Sequence, residues 1–271
     1  MVKRRKQIFE NPAKILYEGP EPDSLVQYFR DFDLPGGTGD GRGVINNRVS
    51  EHFYLALKEI GLPNHFMQRL NMREQLVRGC EYLPVSLMIR NVAAGALSRR
   101  LGIKEGEKLN RPVVELNYND LRLADPLVTE EHIANFGWIM PQDLDEMLAI
   151  ATRTHDLIAG MLMSVGYTLV DLRLEFGRQV EQQVQRTAVG EEIREDVRVI
   201  LASDLSVDMM RLLDRKSGQM VEGTGFEPWR QAVLSKDPAP RKASAHQEVA
   251  ARLGILPQAD IMDLKGPATL Q

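Results

Sequence analysis

Short apolar runs separated by proline and glycine form the start of the chain. The runs occupy residues 7–9, 14–17 and 25–30, and turn-forming sequence lies between them at 11–12 and 19–22. Proline lacks a backbone N–H donor and glycine tolerates a positive φ, so both residues favour turns over continued strands. The pattern predicts three strands joined as an antiparallel meander.

Apolar residues recur every three or four positions in two longer stretches, residues 46–60 and 141–165. This period places them on one face of an α-helix, and each stretch is followed by a glycine, which is typical of a helix end. Residues 93–101 and 245–253 show the same features over a shorter length. We therefore predict two long and two short helices.

Apolar and charged residues alternate in the segment 170–175. Side chains alternate along a strand, so the apolar set enters the core and the charged set shares the other face, about 7 Å apart. A solvated face is one interpretation. A functional site is the other. The strand follows directly on a long predicted helix, as an interior strand would, and charges on the second face of an interior strand need partners. The apolar set is Val170, Leu172 and Leu174, and the charged set is Asp171, Arg173 and Glu175.

Two further predicted strands end in charged residues. Residues 82–89 predict a buried strand that ends at Arg90. An arginine there is well placed to bind a phosphate or a carboxylate through two parallel hydrogen bonds. Residues 197–204 predict a strand that ends at Asp204. If this strand pairs with the segment 170–175, Asp204 and Glu175 approach each other and could hold a hard cation such as Mg²⁺.

Composition narrows the class of protein. Of the 271 residues, 43% are hydrophobic and 27% are charged, and the formal net charge is −4. These values exclude a disordered, collagen-like or membrane-bundle chain. Without a strong overall charge or a long apolar run, we expect neither nucleic acid nor a membrane as a partner. The single cysteine, Cys80, and the absence of a signal-peptide pattern favour a cytoplasmic protein.

Several segments, in order, resemble the SAICAR synthetase family. The most specific are Arg90-Asn91-Val92-Ala93-Ala94-Gly95 and Val170-Asp171-Leu172-Arg173-Leu174-Glu175-Phe176-Gly177. The other matching segments are residues 13–22, 43–51, 74–78, 100–103 and 125–128.

The resemblance implies an α+β fold of two lobes with an ATP cleft between them. Residues 1–84 would form a mostly antiparallel β lobe that binds the nucleotide, and residues 85–271 a larger α/β lobe for substrate and metal. The family uses ATP and Mg²⁺ to join L-aspartate to carboxyaminoimidazole ribotide through an acyl phosphate. The implied partners are therefore these small molecules, and a homo-oligomer is compatible with the pattern.

The resemblance also implies roles for individual residues. Lys14 would contact the ATP phosphates, and Tyr82 would lie beside the adenine. Asp171 and Arg173 would be catalytic, near the imidazole of the substrate. Glu175 would be a metal ligand, with Asp204 as a second candidate. The implied substrate-binding residues are Arg90, Arg211 and Arg230.

The chain departs from the family pattern at several of these sites. Pro12 stands where the family has a lysine, and Ala96 where it has a serine. Ser203 stands at a metal-binding aspartate, with Asp204 one position later, and a shift of one residue on a strand points a side chain to the opposite face. The other departures are Ser86, Asn119 and Pro228.

These departures leave three alternatives open. The chain is a working synthetase, a ligase of the same fold for another carboxylate and amine, or a catalytically impaired protein that binds nucleotide. Each lost charge-assisted hydrogen bond would weaken binding by about 1.5–3 kcal/mol.

Overall fold

The computed structural model of the chain describes residues 5–31, 40–187, 190–221, 223–235 and 244–256. The strands are β1 (Gln7–Glu10), β2 (Lys14–Glu18), β3 (Ser24–Phe29), β4 (Phe66–Arg69), β5 (Glu74–Arg78), β6 (Glu81–Tyr82), β7 (Val85–Val92), β8 (Lys108–Tyr118), β9 (Leu127–Val128), β10 (Tyr167–Leu174), β11 (Phe176–Thr187), β12 (Gly190–Leu201) and β13 (Met210–Asp214). The helices are α1 (Arg42–Glu59), α2 (Ala96–Leu101), α3 (Glu130–Phe136), α4 (Pro141–Ser164), α5 (Phe226–Ser235) and α6 (Ser244–Arg252). Two 3₁₀ turns cover Leu121–Leu123 and Val207–Met209.

The first sheet has the strand order β1-β2-β3-β5-β4, and its neighbouring strands are antiparallel. The predicted meander is therefore confirmed, and β5 and β4 extend it. Helix α1 packs against β3 and β4. It begins at Arg42, before the predicted residue 46, because Asp40 accepts the backbone N–H of Arg42 and satisfies a donor of the first turn.

The second sheet has the order β13-β10-β7-β8-β9, and the third has the order β12-β11-β6. Strand β10 lies between β7 and β13, so the segment 170–175 supplies an interior strand, as predicted. Helix α4 packs against β10 and β12. Antiparallel sheets covered by helices confirm the predicted α+β class.

One hydrophobic core runs through both halves of the described chain. It joins Phe53 and Leu57 of α1 with Leu144 and Ile158 of α4 and with Leu172 of β10. Because this core crosses residue 84, the boundary between two lobes stays a prediction. Within the described ranges, none of the helices has the length and the apolar character that crossing a membrane requires.

Two predicted boundaries near Arg90 differ from the structure. Strand β7 continues to Val92, so Arg90 lies inside the sheet and not at a strand end. The reason is that β8 pairs with β7 as far as Val92, while β10 pairs with Arg90 on the other side. Helix α2 begins at Ala96 and not at residue 93, because Gly95 adopts a φ of 59° and a ψ of −121°, which is not helical.

Candidate active site

A cavity of about 720 Å³ lies between the first sheet and the rest of the chain. Pockets for small molecules commonly have this size. Strands β1, β2, β3 and β5 line one wall, and β6, β10 and the segment after β8 line the other. Four predicted site residues line it, namely Lys14, Tyr82, Arg173 and Glu175. Other polar residues in its lining are Gln27, His65, Cys80, Asn119 and Asp125.

Lys14 is the first residue of β2, and its ammonium group is buried beside two acids. Asn11 Oδ1 accepts the backbone N–H groups of Ala13 and Lys14 at 2.9 and 2.8 Å. The turn uses no N–H of residue 12, so Pro12 fits there. Lys14 Nζ lies 2.7 Å from Asp204 Oδ1 and 3.5 Å from Glu175 Oε2. Burial lowers the pKa of Lys14, but the two carboxylates outweigh burial and raise it. The ammonium group therefore stays charged.

Glu175 and Asp204 do come together, but strand pairing is not the reason. Strand β12 pairs with β11 and not with β10, and Asp204 lies in the loop after β12 ends at Leu201. Strand alternation does not extend into a loop, so the expectation that Asp204 points to the opposite face is wrong. Ser203 has a different role, because its Oγ accepts the backbone N–H of Glu175 at 2.7 Å.

The two acids differ in their proton affinity. Burial acts to raise the pKa of Glu175, but Lys14 and Arg173 outweigh burial and lower it. Burial raises the pKa of Asp204, and the nearby charge of Glu175 adds to this effect. Glu175 therefore binds a proton less tightly than Asp204. The described residues contain no group of three or more His, Cys, Asp or Glu side chains that could hold a metal ion by themselves.

Arg173 links the cavity to the segment after β8. Its Nη2 donates to Asn119 Oδ1 at 2.7 Å, and its Nε lies 3.5 Å from Glu175 Oε1. The guanidinium carbon lies 3.9 Å from the ring centre of Phe226. Asn119 Nδ2 donates to the hydroxyl of Tyr82 at 3.1 Å. Asn119, a departure from the family pattern, therefore connects the predicted adenine-side tyrosine to the predicted catalytic arginine.

Arg90, Asp171 and Arg211 meet in a second charged cluster on the neighbouring strands β7, β10 and β13. Arg90 lies 2.7 Å from Glu115, 2.9 Å from Asp171 and 3.2 Å from Glu227. Arg211 lies 2.7 Å from Glu227 and 3.6 Å from Asp171. Two of the predicted substrate-binding arginines are thus adjacent, and both already bind carboxylates.

A β-bulge in β10 sets the direction of Asp171. The pairing of β10 with β13 skips one residue, so Val170 is an extra residue before Asp171. Val170 consequently packs in a small cluster with Val92, while Leu172 and Leu174 belong to the main core. The predicted common face of Val170, Leu172 and Leu174 is therefore wrong, because the bulge reverses the alternation.

Arg230, the third predicted substrate-binding arginine, lies apart from the other two in α5. Its Nη1 donates to the carbonyl oxygen of Ala124. Burial raises the pKa of the nearby Asp125, although Arg173 and Arg230 act to lower it. Pro228 lies in the first turn of α5, where a missing backbone N–H costs no helical hydrogen bond.

Glu227 and His65 were not among the predicted site residues. Glu227 binds both arginines of the second cluster. His65 lines the cavity, and burial together with the charge of Lys14 lowers its pKa to about 3, so its ring is neutral. His65 stands in no recognisable local motif, so only the folded chain reveals it. Glu227 begins the segment Glu227-Pro228-Trp229-Arg230, which contains the predicted Arg230, and this position was the available signal.

A third charged cluster joins α1, the second 3₁₀ turn and α6. Asp208 Oδ1 lies 3.3 Å from Arg42 Nη1 and 3.1 Å from His246 Nε2, and Asp208 Oδ2 accepts Asn46 Nδ2 at 2.7 Å. Burial acts to raise the pKa of Asp208, but His246 and Arg42 outweigh it and lower the pKa to about 2. These residues do not line the cavity, so we assign them a structural role.

The chain is similar to known proteins along most of its length. Residues 8–233 match the model of the SAICAR synthetase family. Phosphoribosylaminoimidazole-succinocarboxamide synthases of Gluconacetobacter diazotrophicus and Gluconobacter oxydans are 47% and 48% identical, over 99% of each chain. The crystal structure of a phosphoribosylaminoimidazole-succinocarboxamide synthase from Ehrlichia chaffeensis has a TM-score of 0.75 and 28% identity, with 93% of this chain and 100% of that chain covered. A SAICAR synthetase in complex with ADP has a TM-score of 0.71 and 27% identity, with 90% of this chain and 96% of that chain covered.

Proposed function

The chain belongs to the SAICAR synthetase family, and we propose that it joins L-aspartate to carboxyaminoimidazole ribotide with ATP. The observation that carries this proposal is its similarity to two synthases, at 47% and 48% identity over 99% of each chain. Similarity of this extent does not favour the two alternatives, a ligase for other substrates or a non-catalytic protein.

We propose that ATP binds in the cavity between the first sheet and the rest of the chain. A SAICAR synthetase that is 27% identical binds ADP, which supports a nucleotide in this fold. Tyr82 is 48% exposed at the cavity and offers an aromatic surface to the adenine. The ammonium group of Lys14 offers a positive charge to the phosphates.

We propose Glu175 and Asp204 as the residues that would hold Mg²⁺. Carboxylate oxygens suit this ion, which is usually bound by one or two carboxylates together with substrate phosphates. Lys14 Nζ contacts both acids, so the two carboxylates already face one common cation. This arrangement supports a metal ion between them. When bound, the ion would neutralise charge on the phosphates. Lys14 Nζ has three N–H donors, so it could contact a phosphate while it still binds both acids, with or without the ion.

The reaction has two steps that this site can support. The carboxylate of the ribotide attacks the γ-phosphorus of ATP, so a C–O–P bond forms and ADP leaves. The amine of aspartate then attacks the acyl carbon, a C–N bond forms, inorganic phosphate leaves and the nitrogen loses a proton. Lys14 and Arg173 place positive charge where the phosphoryl oxygens gain negative charge, and such electrostatic stabilisation is the main catalytic effect in phosphoryl transfer.

The catalytic role of Asp171 stays a prediction. Asp171 Oδ2 lies 2.9 Å from Arg90 and 3.6 Å from Arg211, and the residue is buried. These contacts support a positioning role, in which Asp171 holds the two arginines toward the phosphate of the ribotide. Arg230, near Asp125, is a more distant candidate for substrate contact.

We also propose that the nucleotide-binding lobe ends near residue 84. Strand β6 belongs to the third sheet and strand β7 to the second, so the chain passes from one sheet to another there. The single cysteine supports a cytoplasmic location, since secreted chains of this size usually carry paired cysteines.

A coupled assay for ADP release tests the proposed function. The protein is purified free of the host enzyme and mixed with ATP, Mg²⁺, the ribotide and aspartate, and controls omit one substrate at a time. We expect ADP release that requires both the ribotide and aspartate. Binding of an ATP analogue without substrate-dependent ADP release would reject the ligase, and absence of nucleotide binding would also reject the ATP site.

A further inference from the structure

The carboxylate of Glu227 lies in an anion-binding position between two arginines. Its Oε1 accepts Arg90 Nη2 at 3.2 Å, and its Oε2 accepts Arg211 Nη2 at 2.7 Å. Both oxygens also accept the backbone N–H of Ala96, at 3.2 and 3.1 Å. Glu227 is only 6% exposed, so these hydrogen bonds are shielded from water. Two guanidinium groups and one backbone donor thus surround a single anion.

Gly95 allows the backbone to approach this anion closely. Its φ of 59° and ψ of −121° suit glycine and strain other residues. A Cβ atom at this position would lie 2.0 Å from Glu227 Oε2 and 2.9 Å from Arg211 Nη1. The space between the backbone and the arginines is therefore shaped around the anion, and a single methyl group would fill it.

The charges of this cluster balance while Glu227 is in place. Three arginines face three acids, namely Arg90, Arg100 and Arg211 with Glu115, Asp171 and Glu227. Removal of the Glu227 carboxylate would leave one net positive charge. A phosphate dianion that replaces Glu227 would give the cluster one net negative charge. A dianion that binds while Glu227 stays in place would give it two net negative charges. Because uncompensated buried charge is costly, the two anions should exclude each other.

We propose that Glu227 is an internal substitute for the phosphate of the ribotide, which the substrate displaces when it binds. This role rests on the proposed function, because it assigns that phosphate to Arg90 and Arg211. A phosphate has three strong acceptor oxygens against two in a carboxylate. Arg211 Nε is buried and has no hydrogen-bond partner in the described part of the chain, so a donor is available for the extra oxygen. An unphosphorylated ribose cannot make this exchange, so Glu227 favours phosphorylated substrates.

The exchange would also act on the catalytic cavity. Glu227 is the second residue of α5, and Phe226 before it packs on the guanidinium of Arg173. Displacement of Glu227 moves the start of this helix and withdraws Phe226 from Arg173. Binding of the phosphate is thereby linked to exposure of the arginine that faces the nucleotide.

Calorimetry with ribose 5-phosphate, without ATP or aspartate, tests the competition directly. We expect the Glu227→Gln protein to bind this probe at least about tenfold more tightly than the wild type, because the competing charge is gone. Glu51→Gln removes one charge from α1, where Glu51 pairs with Arg69, and should leave the dissociation constant unchanged. Equal or weaker binding by Glu227→Gln would overturn the proposal.

Hydrogen exchange on the wild-type protein tests the displacement even if the variant does not fold. Ribose 5-phosphate should speed exchange in residues 223–235, and ribose should not. Unchanged or slower exchange with the phosphate would overturn the proposal. Neither measurement involves ADP release, so a failed ligase assay with faster exchange would reject the proposed function alone, and the reverse result would reject the role of Glu227 alone.

Discussion

Replacement of Lys14 by methionine should separate its role in stability from its role in nucleotide binding. Methionine has nearly the same length but lacks the ammonium group that lies 2.7 Å from Asp204 and 3.5 Å from Glu175. Removal of one partner of a buried ion pair costs about 3–5 kcal/mol. Glu175 keeps Arg173 at 3.5 Å, so we expect a loss near the lower limit, about 3 kcal/mol, mainly from Asp204.

A second change should reverse the loss of stability but not the loss of binding. Lys14→Met combined with Asp204→Asn removes both charges, and the loss of both partners is often nearly neutral. We therefore expect the double variant to recover most of the stability. Both variants lack the ammonium group that meets the phosphates, so both should bind an ATP analogue about 10- to 150-fold more weakly.

Urea denaturation gives the free energies of unfolding, and calorimetry with an ATP analogue gives the dissociation constants. The calorimetry omits Mg²⁺, because Asp204 is also a proposed metal ligand. Lys58→Met is a matched control, since Lys58 donates to the backbone carbonyl of Met67 and should cost about 1 kcal/mol or less. If the double variant is no more stable than Lys14→Met, the ion pair is not the source of the effect. Undiminished nucleotide binding would refute the phosphate contact.

Three further predictions follow from local contacts. Asp208→Asn should cost about 2 kcal/mol at neutral pH, because the pKa of Asp208 in the folded protein is about 2 against 3.8 ordinarily. The wild type loses this contribution as the pH falls from about 4 to about 2, so the urea midpoints of the two proteins should converge in acid. Gly95→Ala should lower the melting temperature more than Gly102→Ala, because both glycines have a positive φ but a Cβ at Gly102 has no atom within 4 Å. Ser203→Asp adds a carboxylate beside Glu175, so it should lower the melting temperature without Mg²⁺ and increase the stabilisation that Mg²⁺ produces.

Each of these predictions has a clear contrary result. If the urea midpoints of the wild type and Asp208→Asn differ by the same amount at neutral and acid pH, the charge of Asp208 does not stabilise the folded protein. Equal melting temperatures of the two alanine variants would show that the space beside Gly95 can relax around a methyl group. A melting temperature of Ser203→Asp that responds to Mg²⁺ no more than the wild type would place the metal elsewhere.

Local features of the fold, and four of the residues that line the cavity, could be predicted from the sequence. The meander of β1 to β3 and the helix α4 followed from apolar periods and from proline and glycine, which act over a few residues. The interior position of β10 was indicated by its place directly after that helix. The family resemblance added the α+β architecture, and it is the source of the roles proposed for Lys14, Glu175 and the arginines. These predictions depend on residue types and spacing, and folding does not alter either of them.

Only the tertiary structure decided which of these charges meet. Asp204 reaches Glu175 through a loop beyond β12, although β12 pairs with a different strand from the one predicted. The bulge at Val170 depends on the register between β10 and β13. Arg90 and Glu227 lie 137 residues apart in sequence and 3.2 Å apart in space. Contacts of this kind are set by the packing of whole sheets and helices, so a local pattern carries no information about them.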